Sequence, residues 1–468
     1  MNKRLFIITV FLGIFVCSFT KTYSQEHSQQ YYPETDPLVL DKLEKWQDLK
    51  FGLLMHWGPY SQWGIVESWS LCSEDVGWTK RTKGSYENYG QYKIDYENLK
   101  TTFNPEKFNP TKWAKAAKAA GMKYVVFTTK HHDGFCMFDS KYTDYKITDT
   151  DCPFNTNPKS NVTKEIFEAF RNEGLWAGAY FSKPDWHSEY YWWSYFATPD
   201  RNVNYDIGKY PNRWEKFVEF THNQILELMT DYGKVDILWM DGGWIDGKNR
   251  KQDIHMSELV KKARDKQPDL IVVDRAVAGP YQNYLTPENQ VPEKMLPYPW
   301  ESCIIMGGGW SYSFDPKFKS SRELIHMLVD IVSKGGNLLL NIGPSPEGTW
   351  YDEAFVRLEE LGKWMAVNSE AIYNSRPIAP YREGKVCLTK QKDGTVYAIY
   401  LGGDNEQSPP SKMWLSSIVP ADGAEISMLG VDGTLEWEQV GNGFLVDVPE
   451  WAQKNPPCNY AWTLKISG

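Results

Sequence analysis

Short apolar runs alternate with helix-like segments along most of this chain, and this alternation constrains its fold more than any other feature. The apolar runs are typical of buried strands and cover residues 50–55, 122–129, 175–182, 235–240, 270–274 and 337–342. The segments with helix signals cover residues 36–48, 109–120, 161–172, 213–229, 254–265, 320–333 and 351–368. Strands that alternate with helices form βαβ units around a parallel sheet, and about six such units are recognisable.

The parallel sheet is predicted to close into a barrel. No GxGxxG motif follows an early strand, so a dinucleotide-binding fold lacks its fingerprint. We therefore expect an α/β catalytic domain over residues 25–380 with a (β/α)8-like barrel of TIM type. The barrel is expected to be irregular, or to contain one or two strands that the apolar pattern does not reveal.

The pattern changes after Pro380. Short runs rich in alternating or β-branched residues follow one another between Gly and Asp turns, at residues 385–390, 395–401, 425–429, 443–448 and 461–466. Such runs predict an antiparallel β-sandwich over residues 381–468. No group of residues in this part of the chain has the composition of a catalytic site.

The N-terminus has the features of a secretory signal peptide. Lys3 and Arg4 precede an apolar run over residues 5–19 that is too short for a comfortable membrane span. We predict a signal peptide over residues 1–24 and export to the periplasm or the cell surface. Cys17 raises the alternative of lipoprotein anchoring, although Val16 is a poor residue before a lipidated cysteine. No later stretch is long and apolar enough to span a membrane.

Charge and cysteine spacing exclude several function classes. The formal net charge is -9 and the pI is near 5.5, which argues against a nucleic-acid partner. The cysteines beyond the leader have no CxxC spacing that would indicate zinc, and a chain of this length does not need disulfides. We expect buried free thiols and no cofactor.

One apolar run ends at a single carboxylate. The run from Val235 to Met240 is followed by Asp241, two glycines and Trp244. An unpaired buried carboxylate is costly, and the C-terminal ends of barrel strands are where catalytic residues lie. Other polar and aromatic residues lie at or near the ends of the other predicted strands, namely His56, His131, His132, Tyr180, Trp239 and Arg275.

Two kinds of site could use this set of residues. Three histidines and an aspartate could bind zinc, but His131 and His132 are adjacent and would point in different directions. No second carboxylate lies at ligand spacing, so we expect no metal. Aromatic residues make up 15% of the chain, with 21 Trp and 28 Tyr. This content is typical either of a large core or of a sugar site, where indoles stack on the apolar faces of pyranose rings.

Glycoside hydrolysis would require a second carboxyl group beside Asp241. Glu288 lies in a proline-rich loop, and Glu301 follows Trp300 at the mouth of the next strand. Either could be the catalytic acid/base, and the sequence favours Glu288. Glu67, in a Glu-Ser-Trp sequence with Trp69, is a third acidic candidate that suits substrate binding better.

The motifs together resemble those of the α-L-fucosidases of glycoside hydrolase family 29. The resemblance covers about residues 35–380 and rests on five stretches: KFGLLMHWG from Lys50, KHHDGF from Lys130, LWMDG from Leu238, PWESC from Pro299 and NLLLNIGP from Asn337. It implies an irregular barrel followed by a C-terminal β-sandwich.

The resemblance also implies an activity and a role for each site residue. It implies a secreted bacterial enzyme that removes terminal α-L-fucose from a fucosylated oligosaccharide or glycoconjugate by retaining double displacement. Asp241 matches the family nucleophile, and the acid/base would be Glu288 or Glu301. The residues implied to hold the fucose are His56, His131, His132, Tyr180, Trp239 and Arg275, with Glu67 and Trp69 less secure because Ser68 is inserted between them.

Two alternatives remain open at this stage. One is a catalytically silent fucose-binding protein on the same scaffold, and the other is a metal-dependent hydrolase. The aromatic residues of loop 182–211, namely Trp186, Tyr190, Tyr191, Trp192 and Trp193, could either bind the leaving group of the substrate or pack the loop.

Overall fold

The computed structural model describes residues 30–72, 79 and 81–467. The predicted signal peptide, including Cys17, lies outside these residues. Within the described part of the chain, no helix has both the length and the apolarity needed to cross a membrane.

The first part of the chain contains the six predicted parallel strands and the seven predicted helices, together with a strand over Glu301–Ile305 and a helix over Tyr89–Glu97 that were not predicted. The strands are β1 (Phe51–Met55), β2 (Tyr124–Lys130), β3 (Trp176–Ser182), β4 (Ile237–Asp241), β5 (Ile271–Asp274), β6 (Glu301–Ile305) and β7 (Asn337–Asn341). The helices are α1 (Pro37–Leu49), α2 (Tyr89–Glu97), α3 (Pro110–Ala119), α4 (Val162–Asn172), α5 (Pro211–Asp231), α6 (Met256–Lys266), α7 (Ser321–Ser333) and α8 (Asp352–Ile372).

Polar caps fix where several of these helices begin. The Asp36 side chain accepts a hydrogen bond from the Leu38 N–H, with Pro37 at the first helical position. Asn109 and Asn161 cap α3 and α4 in the same way. Ser320 and Glu323 form a capping box at the start of α7.

Among the described residues, seven parallel strands form one sheet in the order β5-β4-β3-β2-β1-β7-β6. The edge strands β5 and β6 are joined through residues 281–289 instead of pairing directly. In this segment Gln282 bridges to Val273 of β5, and Glu288 bridges to Cys303 of β6. The predicted irregular barrel is therefore confirmed, with an irregular segment where an eighth strand would lie.

Strand alternation separates the inside of the barrel from the outside. Side chains that point inward form one apolar cluster, which includes Leu54, Val126, Trp239 and Leu339. Their outward neighbours on the strands pack against the helices in a second, larger cluster. Trp46 of α1 joins the inner cluster and stacks on Tyr284, with ring centroids 4.0 Å apart.

The C-terminal part of the chain forms two antiparallel sheets around a common apolar cluster. Its strands are β8 (Arg376–Glu383), β9 (Val386–Lys390), β10 (Val396–Leu401), β11 (Lys412–Leu415), β12 (Glu425–Met428), β13 (Trp437–Val440), β14 (Gly443–Asp447) and β15 (Ala461–Ser467), with the short helix α9 (Glu450–Lys454) before the last strand. The sheet orders are β12-β15-β10-β9-β8 and β11-β14-β13, which confirms the predicted sandwich. Strand β8 runs across the domain boundary that the sequence places at residue 380.

All six cysteines among the described residues are free thiols. Five are buried, and Cys458 is partly exposed. The expectation of buried free thiols is therefore confirmed for all of them except Cys458.

Candidate active site

A cavity of about 280 Å³ opens at the C-terminal ends of the barrel strands. The predicted site residues that line it are His56, Glu67, Trp69, His131, Tyr180, Trp239, Asp241, Arg275 and Glu288. These side chains converge because they lie at the same end of parallel strands, or on the loops that follow them. Of the predicted site residues, His132 lies just behind this lining, and Glu301 lies elsewhere.

Asp241 is the last residue of β4 and points into the cavity. Its carboxylate accepts hydrogen bonds from the Tyr180 hydroxyl at 2.7 Å, from the Gly242 N–H at 2.8 Å and from Arg275 Nη1 at 3.0 Å. Burial alone would raise the pKa of Asp241, but the Arg275 charge and these donors outweigh burial and keep it well below its usual value. Asp241 is therefore an ionised, positioned carboxylate.

Arg275 connects Asp241 to Glu288. Its Nη1 donates to Asp241, and its Nη2 donates to Glu288 Oε2. The two carboxylates differ in accessibility, since the Asp241 side chain is 15% exposed and the Glu288 side chain is 41% exposed. Asp241 thus lies deep in the cavity and Glu288 lies near its mouth.

The segment that closes the barrel also positions Glu288. The N–H of Asn289 donates to the Cys303 carbonyl at 2.9 Å, and the Cys303 N–H donates to the Pro287 carbonyl at 3.2 Å. These bonds attach both chain neighbours of Glu288 to β6. Its backbone is therefore fixed although the segment is not a regular strand.

Each of the three histidines at or just behind the cavity lining has a polar partner at Nδ1. His56 pairs with the Asn341 side chain at 2.9 Å, while His131 and His132 pair with the hydroxyls of Ser68 and Ser182 at 2.6 Å. Burial lowers the pKa of His56 to about 4 and that of His132 to about 3, and it also lowers the pKa of His131. All three rings are therefore neutral at pH 7 and can each donate or accept one hydrogen bond at the free nitrogen.

The adjacent histidines do not point apart as the sequence suggested. The ring centroids of His131 and His132 are 4.2 Å apart, and His132 Nε2 lies 3.9 Å from Asp241 Oδ2. A backbone turn directly after β2 places both rings on the side of Asp241. Among the described residues, no group of three or more His, Cys, Asp and Glu side chains has an arrangement that could hold a metal ion.

Glu67 and Trp69 both reach the cavity despite the residue between them. Glu67 has a φ of 30°, an uncommon value for a residue other than glycine, and its Oε1 accepts from the Ser311 N–H at 2.7 Å. The turn also places the Ser68 hydroxyl within hydrogen-bond distance of His131 Nδ1. Burial raises the pKa of Glu67 to about 8, so this carboxyl group is protonated at pH 7 and can donate a hydrogen bond.

Glu301 lies at the opposite end of the barrel from Asp241. It is the first residue of β6 and is in register with Asn337, the first residue of β7. Its carboxyl group is fully buried inside the barrel and accepts a hydrogen bond from the Tyr124 hydroxyl. Burial raises the pKa of Glu301 to about 7, although the hydrogen bond from Tyr124 opposes the rise.

The cavity lining also includes residues that were missed as site residues in the sequence, among them Arg201, Trp244 and Trp310. Trp244 belongs to the Asp241-Gly-Gly-Trp stretch, so its position after a catalytic strand end was a usable signal. Arg201 lies in the aromatic loop 182–211, which drew attention only for its aromatic residues. Of those, Trp186, Tyr191 and Trp192 are buried and pack the loop. Nothing in the sequence around Trp310 distinguished it from other tryptophans.

Comparison with protein families identifies the chain. The sequence profile described as "Alpha-L-fucosidase" matches residues 18–370, and the profile described as "Alpha-L-fucosidase C-terminal domain" matches residues 382–467. The chain belongs to the α-L-fucosidase family. The predicted family and the enzyme class, a glycoside hydrolase, are thereby confirmed.

Relatives and solved structures extend this similarity over nearly the whole chain. The tissue α-L-fucosidase of Rattus norvegicus is 30% identical over 463 residues, which cover 93% of this chain and 92% of the relative. The plasma α-L-fucosidase of Homo sapiens is 28% identical over 468 residues, which cover 94% and 92%. The α-L-fucosidase isoenzyme 1 of Paenibacillus thiaminolyticus superposes with a TM-score of 0.75 at 29% identity and covers 92% of this chain and 99% of its own. The α-fucosidase of Thermotoga maritima in complex with fucose gives 0.72 at 28% identity, with 93% and 100% covered.

Proposed function

We propose that this protein hydrolyses terminal α-L-fucosides with retention of configuration, with Asp241 as nucleophile and Glu288 as acid/base. The observation that carries the proposal is that Arg275 binds both carboxylates, one deep in the cavity and one at its mouth. Glycosidases of this class place two carboxyl groups on opposite sides of the bond that breaks.

In the first step, Asp241 attacks the anomeric carbon of the fucoside. The carbon–oxygen bond to the leaving group breaks, and Glu288 gives its proton to the departing oxygen. This forms a covalent fucosyl ester on Asp241. The low pKa of Asp241 supports this role because a nucleophile must be ionised before it reacts.

In the second step, water replaces the ester. Glu288, now a carboxylate, takes a proton from the water as its oxygen attacks the anomeric carbon. The bond to Asp241 breaks, fucose is released with the starting configuration, and Glu288 has its proton back. Two inversions at the same carbon produce the overall retention.

The shared guanidinium supports a retaining mechanism over an inverting one. Retaining enzymes hold the two carboxyl groups about 5 Å apart, whereas inverting enzymes leave a wider gap for water. Carboxylates that bind neighbouring nitrogens of one arginine lie close together. Glu288 must separate from Arg275 when it acts as an acid, and its exposed position at the mouth allows this movement.

Neutral polar groups and aromatic rings suit the binding of the fucose ring. His56, His131 and the protonated Glu67 offer hydrogen-bond donors and acceptors to the sugar hydroxyls without a competing charge. Trp239 and Trp310 offer apolar surface for the C6 methyl group and the C–H faces of the ring.

We also propose a substrate class and a location for the enzyme. The substrate is a fucosylated oligosaccharide or glycoconjugate, and the leader at residues 1–24 directs the enzyme out of the cytoplasm. One of the relatives is a plasma α-L-fucosidase, a name that supports a location outside the cytosol.

An assay on an aryl α-L-fucoside followed by proton NMR tests the proposal. We expect release of the phenol, with α-L-fucose as the first sugar to appear and β-L-fucose only later by mutarotation. Fucose binding without hydrolysis would indicate a silent binding protein. β-L-fucose as the first product would indicate inversion and contradict the double displacement.

A further inference from the structure

We propose that Arg201 is a specificity-determining residue that binds the sugar leaving group of the substrate. Arg201 contributes to the lining of the cavity together with Trp69 and Trp244. The inference rests on the proposed function, because a leaving group exists only if a fucoside is cleaved. It adds a residue and a substrate class, fucosyl sugars in preference to fucosides with a compact leaving group.

The cavity has two parts that differ in origin. The deep part consists of residues on or directly after barrel strands, which include His56, Tyr180 and Asp241. The outer part consists of loop residues, with Arg201 on the loop between β3 and α5 and Trp244 on the loop after β4. A terminal fucose fills the deep part to reach Asp241, so the sugar attached to it lies at the outer part.

The backbone of Arg201 is anchored from three sides. Its carbonyl oxygen accepts hydrogen bonds from Trp186 Nε1 at 3.2 Å, from Trp244 Nε1 at 3.1 Å and from the Tyr191 hydroxyl at 2.9 Å. Trp186 and Tyr191 are fully buried. A loop residue with this many main-chain contacts is held in position before the substrate arrives, which reduces the entropy lost on binding.

The side chain of Arg201 is also positioned. Its guanidinium carbon lies 4.8 Å from the Trp69 ring centroid and 5.1 Å from the Trp244 ring centroid. Stacking on indoles orients the plane of the guanidinium group. Sugar hydroxyls and ring oxygens are acceptors for its N–H groups, whereas a compact leaving group such as fluoride does not extend to them.

The position of Arg201 relative to Asp241 is consistent with a leaving-group role. Trp69 and Trp244 both pack against His132, with ring centroids 5.0 and 5.1 Å from it, and His132 faces Asp241. The two indoles and then the His132 ring therefore lie between Arg201 and the nucleophile. Arg201 is thus set back from the reacting carbon, as a residue that binds the leaving group must be.

The test compares two substrates that share the fucose and differ in the leaving group. One is α-L-fucosyl fluoride, and the other is a fucosyl disaccharide with a neutral reducing sugar. In Arg201→Gln we expect kcat/KM for the disaccharide to fall by about tenfold or more, because hydrogen bonds from a charged donor are lost. The value for the fluoride should change little, and Arg201→Lys should recover part of the loss.

Arg250→Gln is the matched control. Arg250, on the loop after β4, pairs with Asp200, the chain neighbour of Arg201. Its loss removes one charge nearby and should leave the ratio of the two kcat/KM values unchanged.

Equal losses on both substrates in Arg201→Gln would overturn the inference, because Arg201 would then act on the fucose half or on the fold. The absence of a loss on the disaccharide would overturn it as well. If the unmodified enzyme cleaved neither substrate, the proposed function itself would fail, and this outcome is separate from the other two.

Discussion

The open end of the barrel, where the strands end, and its base, where they begin, both bury carboxyl groups, but the surroundings of these groups shift their pKa in opposite directions. At the open end, Arg275 and several donors keep Asp241 ionised at the bottom of the cavity. At the base, Glu301 lies among hydroxyl and indole groups in the interior of the barrel, and burial raises its pKa to about 7. The partner of a buried carboxyl group, rather than its burial, decides whether it is ready for nucleophilic chemistry.

Strand direction explains why the two carboxyl groups differ in this way. Asp241 is the last residue of its strand, and Glu301 is the first residue of its own. In a parallel barrel these two positions lie at opposite ends of the structure. Glu288, although it lies on an irregular segment, reaches the same end as Asp241 because that segment runs alongside β6 as far as Cys303.

Removal of the Asp241 carboxylate should have the largest effect on activity. We expect Asp241→Asn to lower kcat on an aryl α-L-fucoside by several orders of magnitude, since the variant cannot form the fucosyl ester. Steady-state kinetics would check this. Asp246→Asn, on the loop after the same strand, is the control and should remain active. Near-normal activity of Asp241→Asn would rule out its role as the nucleophile.

Loss of the Arg275 cation should have the next largest effect on activity. In Arg275→Met the pKa of Asp241 should rise, because the guanidinium charge that lowers it is gone. Activity requires ionised Asp241, so the acidic limb of the kcat/KM profile should move to higher pH, and kcat/KM at pH 7 should fall by about 100-fold. Arg275→Lys keeps the charge and should move the limb less. If the acidic limb of the pH profile did not move in Arg275→Met, Arg275 would not be the group that lowers the pKa of Asp241.

Glu301, the carboxyl group at the base of the barrel, should affect the stability of the fold more than turnover. The folded-state pKa of Glu301, about 7, lies above its ordinary value of 4.5. The proton on Glu301 therefore stabilises the fold fully below pH 4.5, and this contribution is lost as the pH rises through 7. Glu301→Gln is neutral throughout, so its Tm should fall less than that of the unmodified protein between pH 5 and pH 8.

The activity of Glu301→Gln shows whether the base of the barrel takes part in catalysis. We expect Glu301→Gln to lower kcat/KM by no more than about tenfold, since its side chain lies outside the cavity. A loss as large as that of Asp241→Asn would show that the base of the barrel takes part in the chemistry. Identical pH dependence of Tm in the variant and the unmodified protein would show that Glu301 does not gain a proton on folding.

Much of the fold followed from the sequence because the apolar runs are long and the helix caps are explicit. Strand β6 was absent from the apolar pattern, since it begins with Glu301 and Ser302. Strands β11 and β13 of the sandwich were missed because they carry exposed polar residues such as Lys412 and Glu438. Strand β8 was missed because it contains Pro377 and Pro380, and proline in a sequence argues against a regular strand.

The site was predictable where it depends on strand ends and less so where it depends on loops. His56, Asp241 and Arg275 follow apolar runs, so their convergence could be expected before the structure was known. Arg201 reaches the cavity from a long loop whose path no local pattern specifies. The sequence placed Glu301 at the mouth of a strand, and this expectation was wrong because the bounds of β6 were not assigned and Glu301 is its first residue.

The choice between Glu288 and Glu301 is tested most directly by azide rescue of the two alanine variants on an aryl fucoside with a good leaving group. Azide needs no general base, so it can release the fucosyl ester that forms when the acid/base is missing. We predict that Glu288→Ala is reactivated by azide and yields α-L-fucosyl azide, with retained configuration. Glu301→Ala should gain nothing from azide. Rescue of Glu301→Ala in place of Glu288→Ala, or a β-L-fucosyl azide from Glu288→Ala, would contradict the proposed pair of Asp241 and Glu288.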